Sequence, residues 1–207
     1  MTYIAAQQKG KFELHVLAGG NYSLLKIAST PNILTSRYID DQTIKGQGFD
    51  FGVSAQWFLP RRFNKASFAA DFTIKTMRLF NDVTANDVNT QTQFNSSYLR
   101  LYLQHRYALY QTPHFSIAAS GGFVLSHSLN KENSFTKTYR GNTYNDLLFP
   151  KEDYKKYNLG FTVGLLCRFN KALALEIRGE SNRGMSPYVS VYSRLSSLNA
   201  FLYYRLK

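Results

Sequence analysis

Cysteine is nearly absent: Cys167 stands alone among 207 residues. One thiol excludes an intrachain disulfide framework and a multi-cysteine zinc site. Long apolar runs are absent too, and none approaches the ~20 residues that a membrane-spanning helix needs. Acids are scarce, with 13 Asp and Glu against 25 Lys and Arg, for a net charge of +12. Yet 16 Phe, 15 Tyr and a 44% hydrophobic content exclude a disordered basic tail. The length suits one domain, or at most two small ones.

The positive signal is a period of two. In Phe49–Leu59, the residues Phe49, Phe51, Val53, Ala55, Trp57 and Leu59 share one face, while Asp50, Gly52, Ser54 and Gln56 share the other. Successive side chains of a strand point to opposite sides, so this is a strand pattern; a helix would scatter the apolar residues around its circumference. The same alternation recurs from Phe12, Phe68, Leu99, Phe115, Tyr157, Leu173 and Leu198, which predicts eight strands.

Short connections at 60–65, 110–114 and 170–172 alternate with longer polar ones of about 20, 16, 27 and 11 residues, which start at Ala28, Asn81, Asn130 and Arg183. A meander with one trimmed end and one elaborated end is the pattern of outer-membrane barrels, with short periplasmic turns and long external loops. The expected fold is therefore all-β: an eight-stranded antiparallel up-and-down transmembrane β-barrel, its interior filled by side chains and closed to diffusion.

Alternation leaves the direction of the apolar face open, and a soluble lipocalin-like lipid carrier would turn it inward. Charge balance favours outward. The polar faces carry Glu13, Asp50, Asp71, Glu176 and Glu180 against Lys75, Arg100, Arg106, Arg168, Arg178 and Arg205. Such near-neutrality suits a narrow lumen, where an unpaired charge costs several kcal/mol. These residues other than Asp50 are expected to form a lumen charge network. Aromatics near strand ends (Trp57, Phe58, Tyr107, Tyr110, Phe169, Tyr203, Tyr204) are expected to form an interfacial girdle.

The stretches FELHVLAGGNYS, GFDFGVSAQWFLP, SSYLRLYLQHRY, SIAASGGFVLSH, YNLGFTVGLLCRF, LALEIRGESNRG and LNAFLYYRLK resemble the PorT-like, or "porin family", outer-membrane β-barrel proteins of Bacteroidetes. The resemblance spans nearly the whole chain and implies the barrel fold and an outer-membrane location. It implies hardly anything about activity, and a role in type IX secretion does not follow from it. Residues 1–10 are expected to be the residual tail of an export leader ahead of a barrel domain at 11–207. The segment IAAQQ resembles a cleavage site, although a basic start and an apolar core are missing.

Chemistry is sparse. His127 lies in Ser126–Ser128, but adjacent strand residues point apart, which separates serine from histidine. Glu176 and Glu180 are ~13 Å apart along a strand, too far for a glycosidase pair. His15, His105 and His114 lack metal-ligand spacing. The expectation is no catalytic residue, no metal and no cofactor, with a lipid A-modifying enzyme as the alternative. The Lys and Arg residues are scattered, so a nucleic-acid partner is not expected despite a pI near 9.8. Arg78, Arg140, Lys151, Lys155 and Lys156 are candidate contacts for lipopolysaccharide phosphates at the external rim. In the loop from Asn130, the residues Phe135, Tyr139, Tyr144, Leu147, Leu148 and Phe149 are the candidate surface for an envelope partner.

Overall fold

The computed structural model describes residues 11–29, 42–60, 65–85, 87–146, 156–183 and 191–206. Nine strands appear among them: β1 (Lys11–Ser29), β2 (Gln42–Phe58), β3 (Ala66–Ala85), β4 (Val88–Gln111), β5 (Ser116–Tyr139), β6 (Asn142–Asp146), β7 (Tyr157–Arg168), β8 (Leu173–Arg183) and β9 (Val191–Arg205). All pairings are antiparallel, in the order β4-β3-β2-β1-β9-β8-β7-β5-β6. The additional β4–β5 pairing closes the sheet on itself, so eight strands form a ring and β6 hangs from β5.

The apolar face points out. Phe51, Val53, Phe161 and Val163 are 53–67% exposed, whereas Arg100 and Glu176 are at most 1% exposed. This arrangement is the reverse of a lipid carrier's, in which the apolar face would line a cavity. At Gly52, on the inward face, a β-carbon would lie 2.0 Å from the carbonyl oxygen of Phe72. Strands coil that tightly only where no side chain intervenes.

Two expectations are corrected here. The strand count is nine rather than eight, because Asn142–Asp146 forms a strand inside the segment expected to be a long loop. The connections after Asn81 and Asn130 are also mostly strand. β3 and β4 continue to Ala85 and Val88, and β5 continues to Tyr139. Their polar composition suggested loops, but a ribbon with water outside can be polar on its outer face. The β-branched Val83, Thr84, Val88, Thr90 and Thr92 fit such a ribbon. Positive φ at both Arg140 (48°) and Gly141 (82°) turns β5 into β6 through a two-residue hairpin of the primed type. Strands β3 to β6 thus rise beyond the ring as a β wall.

The strands reverse their amphipathicity where the wall begins. On β4, outward Leu99, Leu101 and Leu103 give way to Ser97, Asn95, Gln93 and Gln91. The inward side changes oppositely, from Gln104, Arg100 and Tyr102 to Tyr98 and Phe94. Leu25, Ile27, Ile44, Met77, Leu79, Phe94, Tyr98 and Leu195 pack together there as an apolar plug, with Phe135 against it. A β-bulge between Ser97 and Tyr98, facing Leu129, lies at the same level and shifts the alternation of β5 by one residue. Below this level the plug's counterpart is ionic.

Removing the Phe94 ring should therefore destabilise the protein by ~3–5 kcal/mol, the usual cost of Phe→Ala in a packed core. The outward neighbour Gln93→Ala should change stability by less than ~0.5 kcal/mol. Urea unfolding in lipid vesicles measures both, and similar values for the two variants would contradict the reversal.

Candidate functional site

The inward faces of eight strands converge on a column of charged side chains, arranged in three layers. The layer nearest the plug centres on Glu180, which takes ion pairs from Arg100 and, at 3.4 Å, from Lys75. Tyr102 donates its hydroxyl proton to the same carboxylate at 2.5 Å, and the Asn199 amide donates at 2.8 Å. Lys75 also donates to Asn199 at 2.8 Å. Asp50 accepts from Asn21 at 2.7 Å. The period of two places these residues on one side, and the strand register brings them to one height.

The middle layer is the tightest. Arg178 pairs with Asp71 at 2.6 Å and Glu176 at 2.8 Å; Arg106 pairs with the same two carboxylates at 3.3 and 2.9 Å. Tyr203 donates to Glu176 at 2.7 Å, and Ser120 donates to the other oxygen of Glu176 at 2.7 Å. The guanidinium of Arg178 lies 4.4 Å from the Tyr102 ring centre and 4.7 Å from that of Phe201. A planar, weakly hydrated cation suits such a slot better than an ammonium would.

The third layer sits at the short-turn mouth. There Glu13 alone meets Lys11 (2.7 Å), Arg168 (3.1 Å) and Arg205 (3.0 Å), with His15 at 3.6 Å. The structure thus brings Glu13, Asp71, Lys75, Arg100, Arg106, Arg168, Glu176, Arg178, Glu180 and Arg205 into one column. Tyr203 belongs to it as well. That corrects its expected place in the girdle: it stands on the inward parity and is fully buried. Tyr102, Phe201 and Gln104 are further members: the parity of β4 and β9 sets them on the inward face, but the sequence alone does not show that they meet the charges.

The other candidates separate. Phe135 packs on the plug, Tyr139 ends β5 and Tyr144 lies in β6, so these three belong to the wall rather than to a loop. Leu147, Leu148, Phe149, Lys151 and Lys155, like residues 1–10, lie outside the described residues. Arg78 is exposed on the outward face, paired across to Asn95 and thence to Glu132. Arg140 is eight residues beyond Glu132, roughly 26 Å at normal strand rise, so it tops the wall instead of joining a rim. Lys156 is exposed and accepts through its carbonyl from the Ser128 amide at 2.9 Å. His127 faces outward with its ring centre 4.8 Å from that of Tyr157, while Ser126 and Ser128 are buried inward.

A second set of cations gathers around Arg78. Lys26, Lys45, Arg78, Arg183 and Arg194 are all exposed on the outward face just above the apolar belt. Lys26 opposes Arg194, and Arg194 opposes Arg183, on adjacent strands. Like charges directly opposite one another destabilise a sheet unless something compensates them. None of the five has an ion-pair partner among the described residues. The signal in the sequence was a cation at the next outward position after an apolar run, as in Leu24 followed by Lys26.

A family model for the "Outer membrane protein beta-barrel domain" matches residues 5–182. The chain belongs to that family. It is an outer-membrane protein, and the exposed apolar belt is the surface that meets lipid. No curated protein matches the sequence. Among solved structures, the barrel is similar to the attachment invasion locus protein Ail of Yersinia pestis, with 10% identity, TM-score 0.41 and coverage of 94% of this chain and 99% of that one. It is similar to Neisserial surface protein A, with 17% identity, TM-score 0.41 and coverage of 92% and 96%. The outer membrane protease OmpT from Escherichia coli matches with 10% identity, TM-score 0.44 and coverage of 94% and 96%.

Removing one carboxylate from the middle layer should leave two buried guanidinium groups sharing the other. Glu176→Gln is expected to cost ~3–5 kcal/mol, as for other broken buried pairs. Equilibrium unfolding of the barrel in detergent checks this, and a loss below ~1 kcal/mol would show that the column is not tightly coupled.

Proposed function

We propose that this outer-membrane barrel has a structural or binding role, exerted through its rim and wall, and that it is neither an open pore nor an enzyme. The observation that carries this reading is the sealed axis: two balanced ionic layers capped by an apolar plug. An ion or solute crossing the lumen would have to part Arg178 from Asp71 and Glu176 and then displace Phe94 and its neighbours. The alternative of a lipid A-modifying enzyme gains little support, because Glu176 and Glu180 are saturated by cations and His127 packs on Tyr157 away from both serines.

The short-turn end faces the periplasm and the wall faces outward in this reading. Resemblance of the strand segments supports a PorT-like assignment within the family. The cation belt of Lys26, Lys45, Arg78, Arg183 and Arg194 then meets the level of lipopolysaccharide phosphates, with Lys156 nearby. Tyr139 and Tyr144, exposed on the wall, offer contact area to an envelope protein partner.

Each cation near an anionic lipid surface is worth ~1 kcal/mol. Replacing Lys26, Arg78, Arg183 and Arg194 by Gln should therefore weaken lipopolysaccharide binding by roughly 10²–10³-fold. Lipopolysaccharide co-purified per mole of folded barrel measures the effect, and unchanged retention would sink the rim assignment.

A further inference from the structure

The three ionic layers differ in one respect. Around the middle of the lumen, two arginines face two carboxylates, Asp71 and Glu176. Next to the plug, Arg100 and Lys75 stand with Glu180 and the nearby Asp50. Both enclosed layers are balanced. At the short-turn mouth, however, three cations share the single carboxylate Glu13, which leaves a surplus of two positive charges.

That surplus lines a cavity of about 210 Å³ which opens at the mouth. Lys65 and Lys171 add two more cations to the lining, and neither has an ion-pair partner among the described residues. Arg106 and Gln56 form its floor; Gln56 accepts from Arg106 at 3.3 Å and Arg168 at 3.4 Å, which fixes both guanidinium planes. Phe58 lines one side of the cavity rather than joining the girdle expected of it, with Arg168 5.3 Å and Lys11 5.9 Å from its ring centre. Glu13 itself is buried beneath the cations and does not line the cavity.

We infer that this mouth is a binding site for a phosphate group. The charge surplus matches a phosphate monoester, which carries about −1.5 to −2 at neutral pH. Arginine forks are suited to bidentate contact with its oxygens, and lysines supply further point charges. A cavity of this volume holds several water molecules, so a phosphate group fits, and the remainder of its ester extends through the open mouth. Phosphate can reach the mouth from two sources, a soluble phosphate or the singly charged phosphodiester of a phospholipid headgroup in the adjoining leaflet, and contacts from arginine and lysine to phosphate oxygens serve both.

Titration calorimetry of the full chain in zwitterionic detergent with inorganic phosphate tests the site. Saturable binding is expected, weakened by about tenfold or more in Arg168→Gln/Arg205→Gln, since charge-assisted contacts are lost. The variant Lys65→Gln/Lys171→Gln removes no ion pair and should fold normally while binding about threefold more weakly. Absence of saturable binding to the unaltered protein, or affinity in both variants equal to that of the unaltered protein, overturns the proposal. If the arginine variant does not fold, the lysine variant decides alone. Reconstitution in phosphatidylcholine vesicles with and without phosphatidylglycerol separates the sources: competition by the anionic lipid marks a headgroup site, and undiminished phosphate binding marks a soluble ligand.

Discussion

The long strands that pass from the ring into the wall obey one constraint: their two faces are fixed by the pleat, but the solvent outside changes along their length. Where lipid lies outside, the outward residues must be apolar, and the inward ones are free to be polar. Where water lies outside, the usual rule returns and the apolar residues turn in. Leu99 and Ser97 are successive outward residues of β4, and Arg100 and Tyr98 are their inward neighbours. Between them the strand passes from one solvent to the other. The charged column, the plug and the cation belt all follow from that change.

The column also fixes register. A one-residue slip of a strand would exchange its faces. For β4 it would send Arg100 and Arg106 into lipid, at ~2–4 kcal/mol each near the midplane, and bring Leu99 to Leu103 into a space filled by ionic partners. Buried ion pairs contribute little net stability in general, because desolvation cancels much of the attraction. Here the same pairs discriminate strongly between correct and slipped pairings. Arg178, held by two carboxylates and two aromatic faces, has no comparable place in any shifted arrangement. The ionic lumen therefore specifies which barrel forms more than it raises the stability of the barrel.

The belt strands were legible from the sequence because alternation over seven to eleven residues has a single structural reading, and their facing was legible from the near-neutral charge of the polar faces. Asp71, Glu176 and Arg178 could be assigned to one face from parity alone. Their meeting could not, since it depends on register between strands distant in the chain. The wall was illegible for a different reason. In 81–95 both the turn formers and the polar residues resemble a loop, and only the β-branched Val83, Thr84, Thr90 and Thr92 point the other way. Tyr203 was read for its aromatic ring near a strand end, when its parity, shared with Phe201, already placed it inside. The plug was missed because Leu25 and Ile27 look like lapses in alternation unless the outer solvent is known to change. One residue of bulge at Leu129 then hides the continuation on β5.

The distribution of charge follows from the same change of solvent. The enclosed layers are balanced because low-dielectric surroundings penalise any excess, so a chain of net charge +12 must carry that excess where water can reach it. Among the described residues, two such places flank the belt, on the outward face just above it and at the short-turn mouth, and both are cationic. Cations at each end of a neutral, apolar-coated cylinder resist displacement in either direction, since sliding would draw one set into hydrocarbon. A balanced interior and charged ends are thus two consequences of one requirement. The unpaired cations are best understood by asking what anion each surface meets, because repulsion between Lys26, Arg194 and Arg183 gives the folded chain nothing by itself.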